Sequence, residues 1–166
     1  MPKEDVELAK MLLELKARAH QSMAWSKDEK VALERCFGRG GIISVLAACC
    51  VLSSGRPRNC RRSLSILREN IERGSPPPYV ELLVYEALIT VETNELSPFY
   101  DAIFGFIEES LTRRAVNLDN TIVLLGNLAR ANQPRALVIL QTLTQDGKSP
   151  IRDNASFVLQ KLTKHS

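Results

Sequence analysis

The chain has 166 residues, of which 5% are aromatic and 25% charged, with a net charge of +3. That length permits one domain with a sizeable core, and the scarcity of aromatic residues makes the core aliphatic, which favours helices over a β-sandwich. Three surplus positive charges are too few to demand nucleic acid or an anionic membrane as a partner.

Helical signals follow one another from the first residues onward. Pro2, with Glu4 and Asp5 behind it, suits a helix start, and Leu8, Leu12, Leu15 and Ala19 then share one face over roughly five turns. Ser26 followed by Glu29 is a capping-box pattern, in which hydroxyl and carboxylate satisfy orphan amides reciprocally. It predicts a second helix to about Phe37, ended by Gly38, Gly40 and Gly41. A third helix over 42–54 is apolar nearly all round and is therefore expected at the centre. A fourth, over 58–73, gathers Cys60, Leu64, Leu67 and Ile71 on one face. Gly74-Ser75-Pro76-Pro77-Pro78 is the clearest break in the chain and reads as a stiff loop between repeats. A fifth helix over 79–93 turns Val80, Leu83, Val84, Ala87 and Val91 inward. Ser97-Pro98 then supplies an N-cap and a first-turn proline for a sixth over 98–113, with Phe99, Ala102, Ile103, Phe106 and Ile107 inward. The seventh covers 119–131, the eighth runs from Pro134 to near Asp146-Gly147, and the ninth, capped by Ser149-Pro150, covers 150–163. No convincing strand pattern occurs.

Charge falls in blocks. Residues 55–74 hold six arginines (Arg56, Arg58, Arg61, Arg62, Arg68, Arg73) against two acids, residues 79–112 hold seven acids and no base, and residues 113–166 hold eight bases against three acids. In a stack of repeats such blocks become surface stripes. Cys36, Cys49, Cys50 and Cys60 show no metal-ligand spacing, and adjacent Cys49 and Cys50 read as small buried hydrophobes, so a reducing compartment is expected. The opening residues lack the apolar core of a secretory signal, and the apolar run Ile42 to Leu52 is too short to span a bilayer. An intracellular, cytoplasmic protein is the expectation. The charged first helix and the end bearing Lys161 and Lys164 read as caps of a complete small protein.

Near the C-terminus the chain repeats itself. Leu118-Asp119-Asn120 through Leu128 returns as Arg152-Asp153-Asn154 through Leu162, an offset of 34 residues (153 − 119). A period of that size marks stacked helix pairs, each too small to bury its own apolar face. The segment from Pro134 through Asp146, Ile151 and Arg152 to Leu162 resembles a HEAT repeat: a proline-led first helix, an aspartate in the turn, and Ile-Arg opening the second helix. Residues 98–131 are a weaker copy, with Leu118 where the arginine belongs. The resemblance implies an all-α, short right-handed superhelix of about nine helices. Four pairs follow an N-terminal helix, and the second helices (42–54, 79–93, 119–131, 150–163) line the concave face. The expected division is one domain, with residues 1–25 as the extra helix, 26–74 as divergent repeats and 79–166 as HEAT-like repeats.

Several candidate residues stand out. Asp119 and Asp153 read as an acid–base pair in one view. As first-turn carboxylates meeting the positive ends of helix dipoles they read structurally, with Asn120 and Asn154 positioned to hydrogen-bond from repeat to repeat as a ladder. The resemblance makes Arg152 a member of that ladder. The arginine block reads as a patch for phosphates or an acidic partner, or as a solvated face neutralised by the acidic stripe; it has no interleaved aromatic, which counts against single-stranded nucleic acid. Gly38-Arg39-Gly40-Gly41 lacks the context of a phosphate loop. His20 and His165 have no triad or metal partners in sequence, and Trp25, Tyr79, Tyr85, Phe99 and Tyr100 read either as partner anchors or as core packing and loop staples. Arg58, Arg61, Arg62, Glu86 and Arg152 are the candidate binding residues. Preformed helices that present charge stripes suit a non-enzymatic protein-interaction module or scaffold. No catalytic residue, metal or cofactor is expected, the partner is another protein rather than a membrane, and nucleic acid on the arginine block is the alternative.

Overall fold

The computed structural model describes residues 2–19, 25–54, 60–74, 76–113, 118–147 and 149–164. Those residues form ten α-helices, one of them a single turn, and no strand: α1 (Lys3–Ala19), α2 (Lys27–Arg39), α3 (Gly41–Ser53), α4 (Cys60–Glu72), α5 (Pro78–Thr90), α6 (Thr93–Leu96), α7 (Tyr100–Thr112), α8 (Leu118–Arg130), α9 (Pro134–Leu143) and α10 (Ser149–Thr163). The protein is all-α.

Local chemistry explains most of the boundaries. The Ser26 hydroxyl accepts from the Glu29 amide at 3.2 Å, and the Glu29 carboxylate accepts from the Ser26 amide at 2.7 Å, which closes the capping box of α2. Gly40, at φ 77°, makes the turn into α3; a side chain there would be strained. Pro77 and Pro78 open α5. Other boundaries depart from the sequence reading. α2 continues through Gly38 to Arg39. α5 stops at Thr90 because Val91 turns extended, at φ −83° and ψ 139°. Ser97-Pro98 does not cap a helix: Ser97–Phe99 is a 3₁₀ turn, and α7 starts only at Tyr100, with no side-chain cap. α9 ends at Leu143, before Asp146.

α3 is the hub. Its residues Ile43 to Ser53 are all buried, and α1, α2, α4 and α5 pack around it. Each fully buried Leu or Ile contributes about 1.5–3 kcal/mol, so this helix, apolar on every side, is where much of the stability gathers. From α3 a row extends through α5, α8 and α10, each helix contacting the next, while α4 meets α7, and α9 packs on both α8 and α10. One apolar core runs from Leu12 to Ala155 without interruption.

α1 does more than face solvent at one end. Leu12 and Leu15 are buried against the core, and charge pairs hold the helix at three places. Arg39 binds Glu4 and Asp5, both at 2.9 Å; Lys16 reaches Glu86 of α5 at 2.6 Å; and Arg18 pairs with Glu29, holding that carboxyl below its usual range with help from the Ser26 amide.

Candidate functional site

The sequence-derived binding residues do not converge on one site. Arg58 lies outside the described residues, as do Arg56, His20 and His165. Arg61 is exposed on α4. Arg62 pairs with Glu34 of α2 at 2.7 Å and lies 4.6 Å over the Phe37 ring. Arg68 and Arg73 pair within their own helical stretch, with Glu72 and Glu69, each at 3.8 Å. The carboxylates paired with Arg62, Arg68 and Arg73 thus lie on α2 and α4, and the acidic stripe of residues 79–112 serves other cations. Glu86 holds Lys16, Glu81 and Glu109 hold Arg113, and Glu108 accepts both nitrogens of Arg135 at 2.8 and 3.0 Å. Of the candidate aromatic anchors, Trp25, Tyr85 and Phe99 are buried, Tyr100 is half-buried and Tyr79 is exposed.

The aspartate and asparagine positions sit at the junction of α8 and α10. The Asn154 amide donates to the Asp119 carboxylate at 2.7 Å, so the two helix starts are side by side. Further along, a Cβ on Gly126 would stand 2.9 Å from Val158 Cγ1. Both contacts advance in the same direction, so α8 and α10 run parallel with residues close to 34 apart as neighbours. Arg152 is exposed and bonds Asp153 at 3.2 Å. Asn120 is half-buried.

That register exposes a row the sequence reading did not pick out. Ile89 on α5, Val123 on α8 and Phe157 on α10 are each 34 residues apart (123 − 89, 157 − 123). Ile89 is half-buried, Val123 is 44% exposed and Phe157 56% exposed. One turn toward the helix starts the same register carries Glu86, Asn120 and Asn154. One turn toward the ends, α8 and α10 carry Asn127 and Lys161, and beyond them Arg130 and Lys164, whereas α5 has already ended at Thr90. Lys161 lies 4.4 Å over the Phe157 ring, and Arg130 donates to Asn127 at 3.1 Å. The result is an apolar stripe between an amide-rich border and a basic one.

A second polar feature is internal. Glu81, 1% exposed on α5, receives Arg113 at 3.2 Å through one carboxylate oxygen, while its other oxygen has no hydrogen-bond partner. One turn on, Tyr85 stacks on Phe106 at 4.8 Å. Its hydroxyl lies near those of Ser110 and Thr121 without a well-aligned bond, and burial pushes its pKa up to about 12. This cluster ties α5, α7 and α8 together, and Arg113 stands over it like a stopper. An open groove of about 410 Å³ runs between α4 and α7 over Ile71, Ala102, Gly105 and Phe106, with Glu72, Asp101 and Glu109 at its rim. Two of those acids already have arginines within 4 Å.

Among the described residues no group of three metal-ligating side chains comes together, and no helix is long and apolar enough to cross a membrane. The buried thiol of Cys49 is pushed up to about 12 by desolvation, the wrong direction for a nucleophile. No family model matches the chain, and neither a curated protein nor a solved structure shows significant similarity to it.

Proposed function

We propose that this chain is a non-enzymatic protein-interaction module, a short right-handed solenoid of HEAT-like repeats that presents the face of α5, α8 and α10 to a partner protein in the cytoplasm. The observation that carries the reading is the row Ile89, Val123 and Phe157, repeated at the helix-pair period and exposed on α8 and α10. Large apolar side chains aligned on neighbouring helices are what a macromolecular contact uses as its centre, and polar groups on both borders are what its rim uses. Because the helices are held by a continuous core, binding costs little ordering entropy. The arginine block supports the nucleic-acid alternative less well, since Arg62, Arg68 and Arg73 each have a carboxylate neighbour.

The test is affinity capture from native lysate with wild type, Val123→Asp and Phe157→Asp, with and without nuclease, each variant checked for unchanged helical circular dichroism. Proteins retained by wild type, lost with either variant and insensitive to nuclease are the expected result. Partners that ignore both substitutions, or vanish with nuclease, refute the reading.

A further inference from the structure

We infer that the stripe on α8 and α10 takes an acidic segment of its partner: a short peptide stretch with one aliphatic or aromatic anchor and carboxylates beside it. This inference rests on the interaction face proposed above and adds the chemistry of what docks there. Val123 and Phe157 supply the apolar seat. Arg130, Lys161 and Lys164 supply three cations along one border of that seat, and none of them has a carboxylate within ion-pair distance among the described residues, in contrast to Lys16, Arg39, Arg62, Arg113 and Arg135. Among the described residues most arginines pair with a carboxylate, and these three cations, like Lys3, Lys27, Lys30, Arg35 and Arg61, do not; what sets the three apart is their place beside Val123 and Phe157. Lys161 stands over the Phe157 ring, so a carboxylate that bonds its ammonium is brought directly beside the apolar anchor.

The opposite border fixes the polarity. Asp119 and Asp153 lie at the starts of α8 and α10, and Glu86 lies on α5. A segment with its acids toward Arg130, Lys161 and Lys164 avoids these groups. A long uniform polyanion cannot avoid Asp119, whose partner is the neutral Asn154 amide rather than a cation, although Asp153 and Glu86 are paired with Arg152 and Lys16; and Phe157 is a single stacking ring where single-strand binders use several. A peptide with localised carboxylates is therefore favoured over nucleic acid, and charge complementarity of this kind sets orientation and specificity.

The experiment is selection of a displayed random dodecapeptide library on the immobilised full chain. Recovered peptides are then measured by fluorescence polarisation against wild type, Val123→Asp and the neutralised variant Arg130→Gln/Lys161→Gln/Lys164→Gln, whose folding is checked by circular dichroism. A labelled oligothymidylate is titrated in parallel. Expected are peptides with two or more carboxylates near one large apolar residue. Their affinity falls about tenfold or more in the neutralised variant, since each exposed pair is a factor of roughly two to five, and is lost in Val123→Asp. Enriched peptides that lack acids but still depend on Val123 overturn the acidic assignment and leave the interaction face standing. Absence of any Val123-dependent peptide overturns both. Tight oligothymidylate binding lost on neutralisation overturns the inference in favour of nucleic acid.

Discussion

Substituting Gly126 tests how closely α8 and α10 are packed. In a helix interior, glycine to alanine normally stabilises by about 1 kcal/mol, because alanine loses less backbone freedom on folding. Here the added methyl would meet Val158 Cγ1 at 2.9 Å, well inside the ~3.5–4.0 Å of an ordinary carbon contact. Val158 is β-branched and stiff at χ1, so it cannot swing aside cheaply. Overpacking of this kind costs about 1–3 kcal/mol. The net expectation for Gly126→Ala is a loss of about 1 kcal/mol, with a range from neutral to about 2 kcal/mol. The sign reverses once the obstacle is removed: in a Val158→Ala background the same substitution should stabilise by about 1 kcal/mol. Urea denaturation of the four proteins of this cycle, followed by circular dichroism, gives a coupling of about 1–3 kcal/mol. A coupling below about 0.5 kcal/mol, with Gly126→Ala stabilising in both backgrounds, refutes the close packing on which the shared register of Val123 and Phe157 depends.

Three further outcomes follow from the interior. Arg113→Ala leaves the Glu81 carboxylate buried without its cation and should cost about 2 kcal/mol, discounted from the full buried-pair value because Arg113 is 38% exposed; Glu81→Met/Arg113→Ala should recover most of it in denaturant titration. Alkali should weaken the fold. Burial raises Tyr85 from 10.0 and Cys49 from 9.0 to about 12 each, so both stabilise fully below pH 9, and their contribution falls as pH climbs toward 12, by about 1.4 kcal/mol per unit for each group between its two values. Tyr85→Phe/Cys49→Ala should flatten the decline in thermal midpoint between pH 9 and pH 11, and an unchanged slope would contradict the assignment. Glu86→Ala strands the Lys16 side chain of α1, 8% exposed, without its carboxylate and should speed amide hydrogen exchange in residues 3–19 while leaving α8 protected.

The legible parts of this fold were those written in local chemistry. The capping box at Ser26 and Glu29, the all-apolar α3, and the inward faces of α1 and α4 can be read from residue types and spacing, because each is decided within one or two turns. The stretch from Val91 to Phe99 could not be read that way. It has no glycine, and Ser97-Pro98 is as compatible with a 3₁₀ turn as with a helix cap; the packing of α6 against α4 chooses between them. The burial of Glu81 and Tyr85 was hidden for another reason. The face read from the sequence is buried at Val80, Val84 and Ala87, but α5 is apolar on nearly every side, and neighbours on a second side bury Glu81, Tyr85 and Leu88 as well. The candidate surface was nearer to hand. The 34-residue offset seen in Asp119-Asn120 and Asp153-Asn154, carried three positions further, reaches Val123 and Phe157; neither the polar ladder nor the aromatic anchors considered along the chain included them.

The distribution of thiols gives this molecule a one-sided chemical clock. The four cysteines form no disulfide, and they sit on α2, α3 and α4; none lies beyond residue 60. Cys36, Cys49 and Cys50 are buried, so an alkylating reagent meets them only when the first half of the stack opens. Loosening that begins at α9 and α10 leaves those three thiols untouched while helical signal is already falling. The ratio of alkylation rate to loss of ellipticity therefore reports the end from which the stack comes apart, without any label being introduced.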